Sequence, residues 1–108
     1  MWLLFDDPLV EGLYEPECPT SARFRCSAAV RKHFTNVLNF LRCMESSEEI
    51  RSCQSFDCQP LDARHPRFSV KITAGYRLDF SCHEQEGQLV GLTVHALCLT
   101  HTLSSSLR

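Results

Sequence analysis

From residue 67 to residue 80 apolar and polar side chains alternate almost without interruption. Phe68, Val70 and Ile72 alternate with Ser69, Lys71 and Thr73, and beyond Gly75 the residues Tyr76, Leu78 and Phe80 alternate with Arg77 and Asp79. A period of two is that of a half-buried strand, so the segment predicts a β-hairpin. A three-residue loop, Thr73-Ala74-Gly75, pairs Ile72 with Tyr76, Val70 with Leu78 and Phe68 with Phe80, which puts every large apolar side chain on one face. Gly75 then fills the left-handed position such loops require. The same register sets Lys71 directly opposite Arg77, where like charges cost a few tenths of a kcal/mol or more. Either the pair receives an anion, or the two long side chains splay into solvent.

Upstream of the hairpin the period changes. Val30, Phe34, Val37, Leu38, Leu41 and Met44 recur at helical spacing, with Arg31, Lys32, Asn36, Asn39 and Arg42 largely off that stripe. This predicts a long helix from Ser21 or Ser27 to Met44. Asp7-Pro8 reads as a helix start, with Leu9, Leu13 and Tyr14 as a short apolar stripe ended by Pro16 and Pro19. Ser46-Ser47-Glu48-Glu49 reads as a cap with acidic first-turn residues, predicting a short helix over 47–53. Residues 2–5 suit a short edge strand, Pro60-Leu61-Asp62 another, and 89–99 the last, after a polar turn at Gln85-Glu86-Gly87. Helices followed by a meandering sheet define an α+β domain, with the N-terminal helices on one face of a small, mainly antiparallel twisted sheet. Residues 1–103 form one domain on this reading, and 104–108 a disordered tail.

Composition narrows the setting. Of 108 residues 44% are hydrophobic and 22% charged, the balance of an ordinary globule. No apolar run approaches the ~20 residues of a membrane span, and the opening Met1-Trp2-Leu3-Leu4-Phe5 lacks the basic start of a signal peptide. Seven cysteines, an odd number without a Cys-x-x-Cys pair, fit packing residues in a reducing cytoplasm better than a disulfide framework, with Cys43, Cys82 and Cys98 in core-like patterns. A zinc site from Cys53, Cys58, Cys82 and His83 has only weak spacing support. Net charge is −2, but its distribution is uneven. Residues 1–20 hold five acids and no base, residues 21–43 five bases and no acid, and Arg64, Arg67, Lys71 and Arg77 follow in a third segment with His65 among them. Such segregation builds a basic groove on a weakly acidic protein, unless the acidic start packs on the basic helix and neutralises it.

The order of elements, with these residues, resembles the RelE/HigB superfamily of bacterial toxins, in particular the HigB (plasmid maintenance killer) branch. The likeness runs from Phe5 to His101. It includes Phe5-Asp6-Asp7 and Leu13-Tyr14-Glu15 at the start, Leu38-Asn39-Phe40-Leu41 on the long helix, and Ser46 to Arg51 in the following turn. Pro60-Leu61-Asp62-Ala63 and, most specifically, Phe68-Ser69-Val70-Lys71-Ile72 with Tyr76-Arg77-Leu78-Asp79-Phe80 complete it. The resemblance implies a RelE/ParE-like fold and a ribosome-dependent mRNA endonuclease in the cytoplasm, the toxin half of a toxin–antitoxin pair. Its partners would be a small antitoxin, of helix-turn-helix type, and the ribosome with its mRNA. It implies no membrane, and DNA only indirectly through the toxin–antitoxin complex. The family chemistry uses no metal or other cofactor: the ribose 2′-hydroxyl attacks the adjacent phosphate and leaves a 2′,3′-cyclic phosphate.

That chemistry requires a base, an acid and cations for the growing negative charge. By resemblance Arg77 and Lys71 are the transition-state cations, and His101 or His65 moves protons. Arg67 and Arg64, with Lys71 and Arg77, contact RNA. His95, within the last strand, reads as a core or cross-strand packing residue. The chain departs from the branch where the last strand ends in Leu99-Thr100-His101 instead of Asp-Tyr-His, in Asp62 and Ala63 for a lysine and a glycine, and in its negative net charge. Two alternatives share the fold: a ParE-like, non-enzymatic gyrase inhibitor, and a catalytically degenerate member that only binds an antitoxin.

Overall fold

The computed structural model describes residues 1–15, 24–62 and 66–100. The chain forms β1 (Trp2–Phe5), α1 (Pro8–Tyr14), α2 (Ala28–Arg42), α3 (Ser47–Ser52) and a 3₁₀ turn (Gln54–Phe56), then β2 (Gln59–Asp62), β3 (Arg67–Thr73), β4 (Tyr76–Gln85) and β5 (Gln88–Leu99). The five strands make one sheet in the order β1-β5-β4-β3-β2. Strands β2 to β5 pair antiparallel, whereas β1 lies parallel to β5 at the edge, with Trp2 beside Gly91 and Phe5 beside Val94. The chain is therefore α+β, with a mainly antiparallel sheet.

Each helix begins where a side chain takes up an otherwise unpaired amide. Asp7 Oδ1 accepts from the Leu9 N–H at 2.9 Å, Ser27 Oγ from Val30 at 3.2 Å, and Ser46 Oγ from Glu49 at 3.2 Å. Ser27, not Ser21, thus caps the long helix, which ends with Cys43 as its C-cap. Val10 and Leu13 of α1, Phe34, Leu38 and Leu41 of α2 and Ile50 of α3 join Phe68, Val70, Ile72, Leu78, Phe80, Cys82, Leu92 and Val94 of the sheet in one buried cluster. These strand residues share a face, so the helices cover that face. The other, outer face carries Arg67, Ser69 and Lys71 of β3, Arg77, Asp79, Ser81 and His83 of β4, and Thr93 and His95 of β5.

The hairpin keeps its faces but not its loop. Phe68 pairs with Phe80, Val70 with Leu78 and Lys71 with Arg77, as alternation requires, but Thr73 rather than Ile72 stands opposite Tyr76. The loop is the two residues Ala74-Gly75, and Ile72 is the extra residue of a β-bulge between Lys71 and Thr73. The bulge absorbs one residue, which lets a two-residue turn coexist with an unmixed apolar face. Gly75 has no positive φ. Left-handed residues occur instead in the next hairpin turn, at Glu86 (φ 54°) and Gly87 (φ 79°), and at Asp57 before β2.

Two further readings change. Cys82 is buried as expected, but Cys43 and Cys98 are exposed, one at a helix end and one on the outer side of β5. Among the described residues no acid of the N-terminal segment pairs with a base of α2. The two are joined by the Arg31 Nε–H donating to the Leu13 carbonyl at 3.1 Å and by Tyr14, whose hydroxyl accepts from Arg42 Nη1 at 3.0 Å and donates to Asn39. Arg64, His65, His101 and the 104–108 tail lie outside the described residues. No described helix is long and apolar enough to cross a membrane.

Candidate functional site

The predicted cation pair exists at the level of the backbone, because Lys71 and Arg77 are register partners on β3 and β4. Their side chains have opposite fates. Lys71 is exposed and makes no hydrogen bond or ion pair among the described residues. Arg77 lies down along the outer face, with only 12% of its side chain exposed. Its Nε–H donates to Ser69 Oγ at 2.6 Å and its Nη2 to the Ser69 carbonyl at 3.0 Å. Nη1 meets Asp57 Oδ2 at 3.0 Å, while Nη2 also reaches the Asp57 carbonyl. Asp57 can offer both acceptors because it closes the 3₁₀ turn in the left-handed conformation (φ 46°, ψ 52°), which Asp tolerates better than most residues. Arg77 therefore ties three segments together: β4, β3 and the turn before β2.

Four residues along β3, about 13 Å at the usual strand rise, Arg67 forms the fork-to-fork pair typical of arginine and carboxylate. Nε meets Asp79 Oδ1 at 2.9 Å and Nη2 meets Oδ2 at 2.7 Å. The hydrogen bond and charge of Asp79 raise the already high guanidinium pKa, so Arg67 stays cationic. Its side chain is 43% exposed, and among the described residues only two of its five N–H groups are taken, both by Asp79.

Beside Arg67 the sheet assembles a second polar group. Ser81 on β4 is the register partner of Arg67 on one side and of Thr93 on the other. Its Oγ lies 2.6 Å from His95 Nε2, and His95 Nδ1 lies 2.5 Å from Asp6 Oδ2. His95 reaches this position because the β4–β5 ladder skips it: Asp79 pairs with Ala96 and Phe80 with Val94, leaving His95 as the extra residue of a bulge. Bulges re-aim side chains in this way, and they are over-represented next to active sites. Asp6 is fixed from both sides. Its N–H donates to the Val94 carbonyl at 2.8 Å as β1 ends, and the next residue, Asp7, caps α1. Further along the same face His83 Nε2 lies 2.9 Å from Thr93 Oγ1, and the Trp2 ring packs 4.6 Å from the His83 ring.

The tautomer of His95 follows from its partners. A carboxylate only accepts, so Nδ1 carries a proton, and in the neutral ring Nε2 then presents its lone pair to the Ser81 hydroxyl. Hydroxyl, imidazole and carboxylate thus stand in the order that activates a hydroxyl by removing its proton. Of the residues expected from sequence, Arg67, Lys71 and Arg77 share the outer face, but only Lys71 and Arg77 adjoin each other. His95, expected to pack, does make a cross-strand contact, though on the polar face and to a hydroxyl. Alternation could have put Ser81 on the polar side. Asp6 gave no such signal, since it lies 89 residues from His95.

A cavity of about 450 Å³ opens where Ser69, Arg77 and Asp79 meet Phe24, Leu61 and Leu99. Among the described residues no group of three or more His, Cys, Asp or Glu side chains is placed to hold a metal ion. No protein-family model matches the chain, and no curated protein matches it either.

Proposed function

We propose that this chain is a RelE/HigB-like toxin: a cytoplasmic, metal-independent endoribonuclease that cuts mRNA on the ribosome and is held in check by a small antitoxin. The observation that carries the reading is the row of cations on one sheet face, with Lys71 set opposite Arg77 at an electrostatic cost and Arg67 on the same strand. An RNA backbone repays that cost, because each phosphate brings a negative charge to a surface that already holds positive ones. The α+β order, with three helices and a β1 strand parallel to the last strand, accommodates a RelE/ParE-like fold. Lys71, without an ion-pair partner among the described residues, is the cation to meet a phosphate directly, while Arg77 presents a fixed charge beside it. On the sequence reading the proton passes through His101 or His65, both outside the described residues.

The test is expression in bacteria with primer-extension mapping of mRNA. New 5′ ends at codons, lost in Lys71→Ala with the fold intact, are the expected result. Growth arrest with intact mRNA and a gyrase-linked DNA-damage response would replace the reading with the ParE-like one. A second reading has one observation in its favour. The Arg77 guanidinium is occupied by Ser69 and Asp57 and Arg67 is engaged by Asp79, as suits a member that only binds an antitoxin. It predicts neither arrest nor cleavage.

A further inference from the structure

We infer, resting on the endonuclease reading, that His95 is its catalytic proton-transfer residue, that Asp6 positions it, and that Ser81 Oγ holds the place a ribose 2′-hydroxyl takes. The geometry supplies each part. Nε2 already lies 2.6 Å from a hydroxyl oxygen, within the reach a general base needs, and in the neutral ring it turns its lone pair to that hydroxyl. The opposite ring nitrogen is held by a carboxylate that fixes the orientation of the ring. The ring is partly open, with 20% of its side chain exposed, and it owes its position to a bulge rather than to regular strand geometry.

The same three groups could in principle make Ser81 a nucleophile for acyl transfer. The backbone argues against that. Acyl transfer leans on an oxyanion hole, commonly including the amide after the nucleophile. Here the Cys82 N–H is already spent on the Pro66 carbonyl at 2.8 Å. RNA cleavage avoids this requirement because the nucleophile comes with the substrate and the developing charge sits on phosphate oxygens. A cation answers that charge, and Arg67, the register partner of Ser81, gives only two of its five N–H groups to partners among the described residues. Lys71, about 13 Å further along β3, serves a neighbouring phosphate.

The step balances without a further reagent. The 2′-hydroxyl displaces Ser81 Oγ from Nε2 and gives its proton to His95, and O2′ bonds to phosphorus. The P–O5′ bond breaks, the leaving 5′-oxygen takes a proton from water, and the imidazolium returns its proton to solvent. The product is the 2′,3′-cyclic phosphate.

The experiment measures single-turnover cleavage of a ribosome-bound mRNA by the full chain and its variants, each checked for native folding by circular dichroism. His95→Ala should lose about 100-fold or more in rate, and added imidazole should restore part of the loss, which a structural defect would not allow. Asp6→Asn should lose about 10-fold or more, with Asp6→Glu retaining most activity and KM unchanged in both. Ser81→Ala should stay within a few-fold of the unaltered chain. Cleavage abolished by Lys71→Ala but unaffected by His95→Ala, or a His95→Ala loss that imidazole does not relieve, overturns the inference and leaves the nuclease standing. A Ser81→Ala loss as deep as that of His95→Ala overturns it in favour of a serine nucleophile. Intact mRNA with the unaltered chain removes the nuclease reading and this inference together.

Discussion

Arg77 and His95 stand on the same face of the same sheet, one strand apart, and are held by different kinds of partner. Arg77 is bound by groups no more than 20 residues away, two of them backbone carbonyls, with most of its side chain out of water. His95 is bound by two side chains, one from a neighbouring strand and one from the far end of the sequence, and its carboxylate partner is about as exposed as that of Arg77, 59% against 57%. A largely buried cation held partly by carbonyls has no cheap alternative, because leaving would strand the buried Ser69 without its partner. An imidazole between a hydroxyl and a solvated carboxylate can exchange one hydroxyl for another at little cost. The first arrangement is suited to holding a fold together and the second to handling a proton.

The contrast can be broken at several points. Arg77→Ala should cost about 1–2 kcal/mol, because it leaves the buried Ser69 unsatisfied, while water takes up the exposed Asp57. Urea unfolding reads this directly, and a loss below about 0.5 kcal/mol would mean that Arg77 is not a clamp. Gly91→Ala should cost about 1 kcal/mol or more, since a Cβ there would lie 2.2 Å from the Trp2 ring. Trp2 is the sole tryptophan, so its emission should shift to the red as the ring lifts from Gly91 and His83. An unchanged spectrum would show that β1 does not hold that register. Lys71→Thr should have the smallest effect, a gain of about 0.3 kcal/mol from relieved repulsion and better strand propensity. A measurable loss of melting temperature would reveal a partner for Lys71.

The sequence disclosed what depends on local period. The strand faces, the Lys71–Arg77 juxtaposition, the caps at Asp7, Ser27 and Ser46 and the order of elements are all repeats or short-range signals. The two-residue loop was hidden because the bulge at Ile72 leaves no mark in an alternating pattern. The Arg77 cradle was hidden because it depends on a left-handed Asp57, a conformation that no neighbouring residue announces. The His95 group was hidden twice over. Its bulge interrupts alternation within β5, and its carboxylate arrives from a strand whose parallel pairing no turn specifies.

That parallel pairing also sets a timetable. Because β1 hydrogen-bonds to β5 and Asp6 waits for His95, the group on the outer face cannot assemble until nearly all of the described chain has been synthesised. At about 5–20 residues per second, the 89 residues separating Asp6 from His95 correspond to roughly 5–20 s of translation. For that interval the nascent chain carries an unpartnered first strand and an Asp6 carboxylate without its histidine, so the site comes into being only as synthesis reaches the last strand.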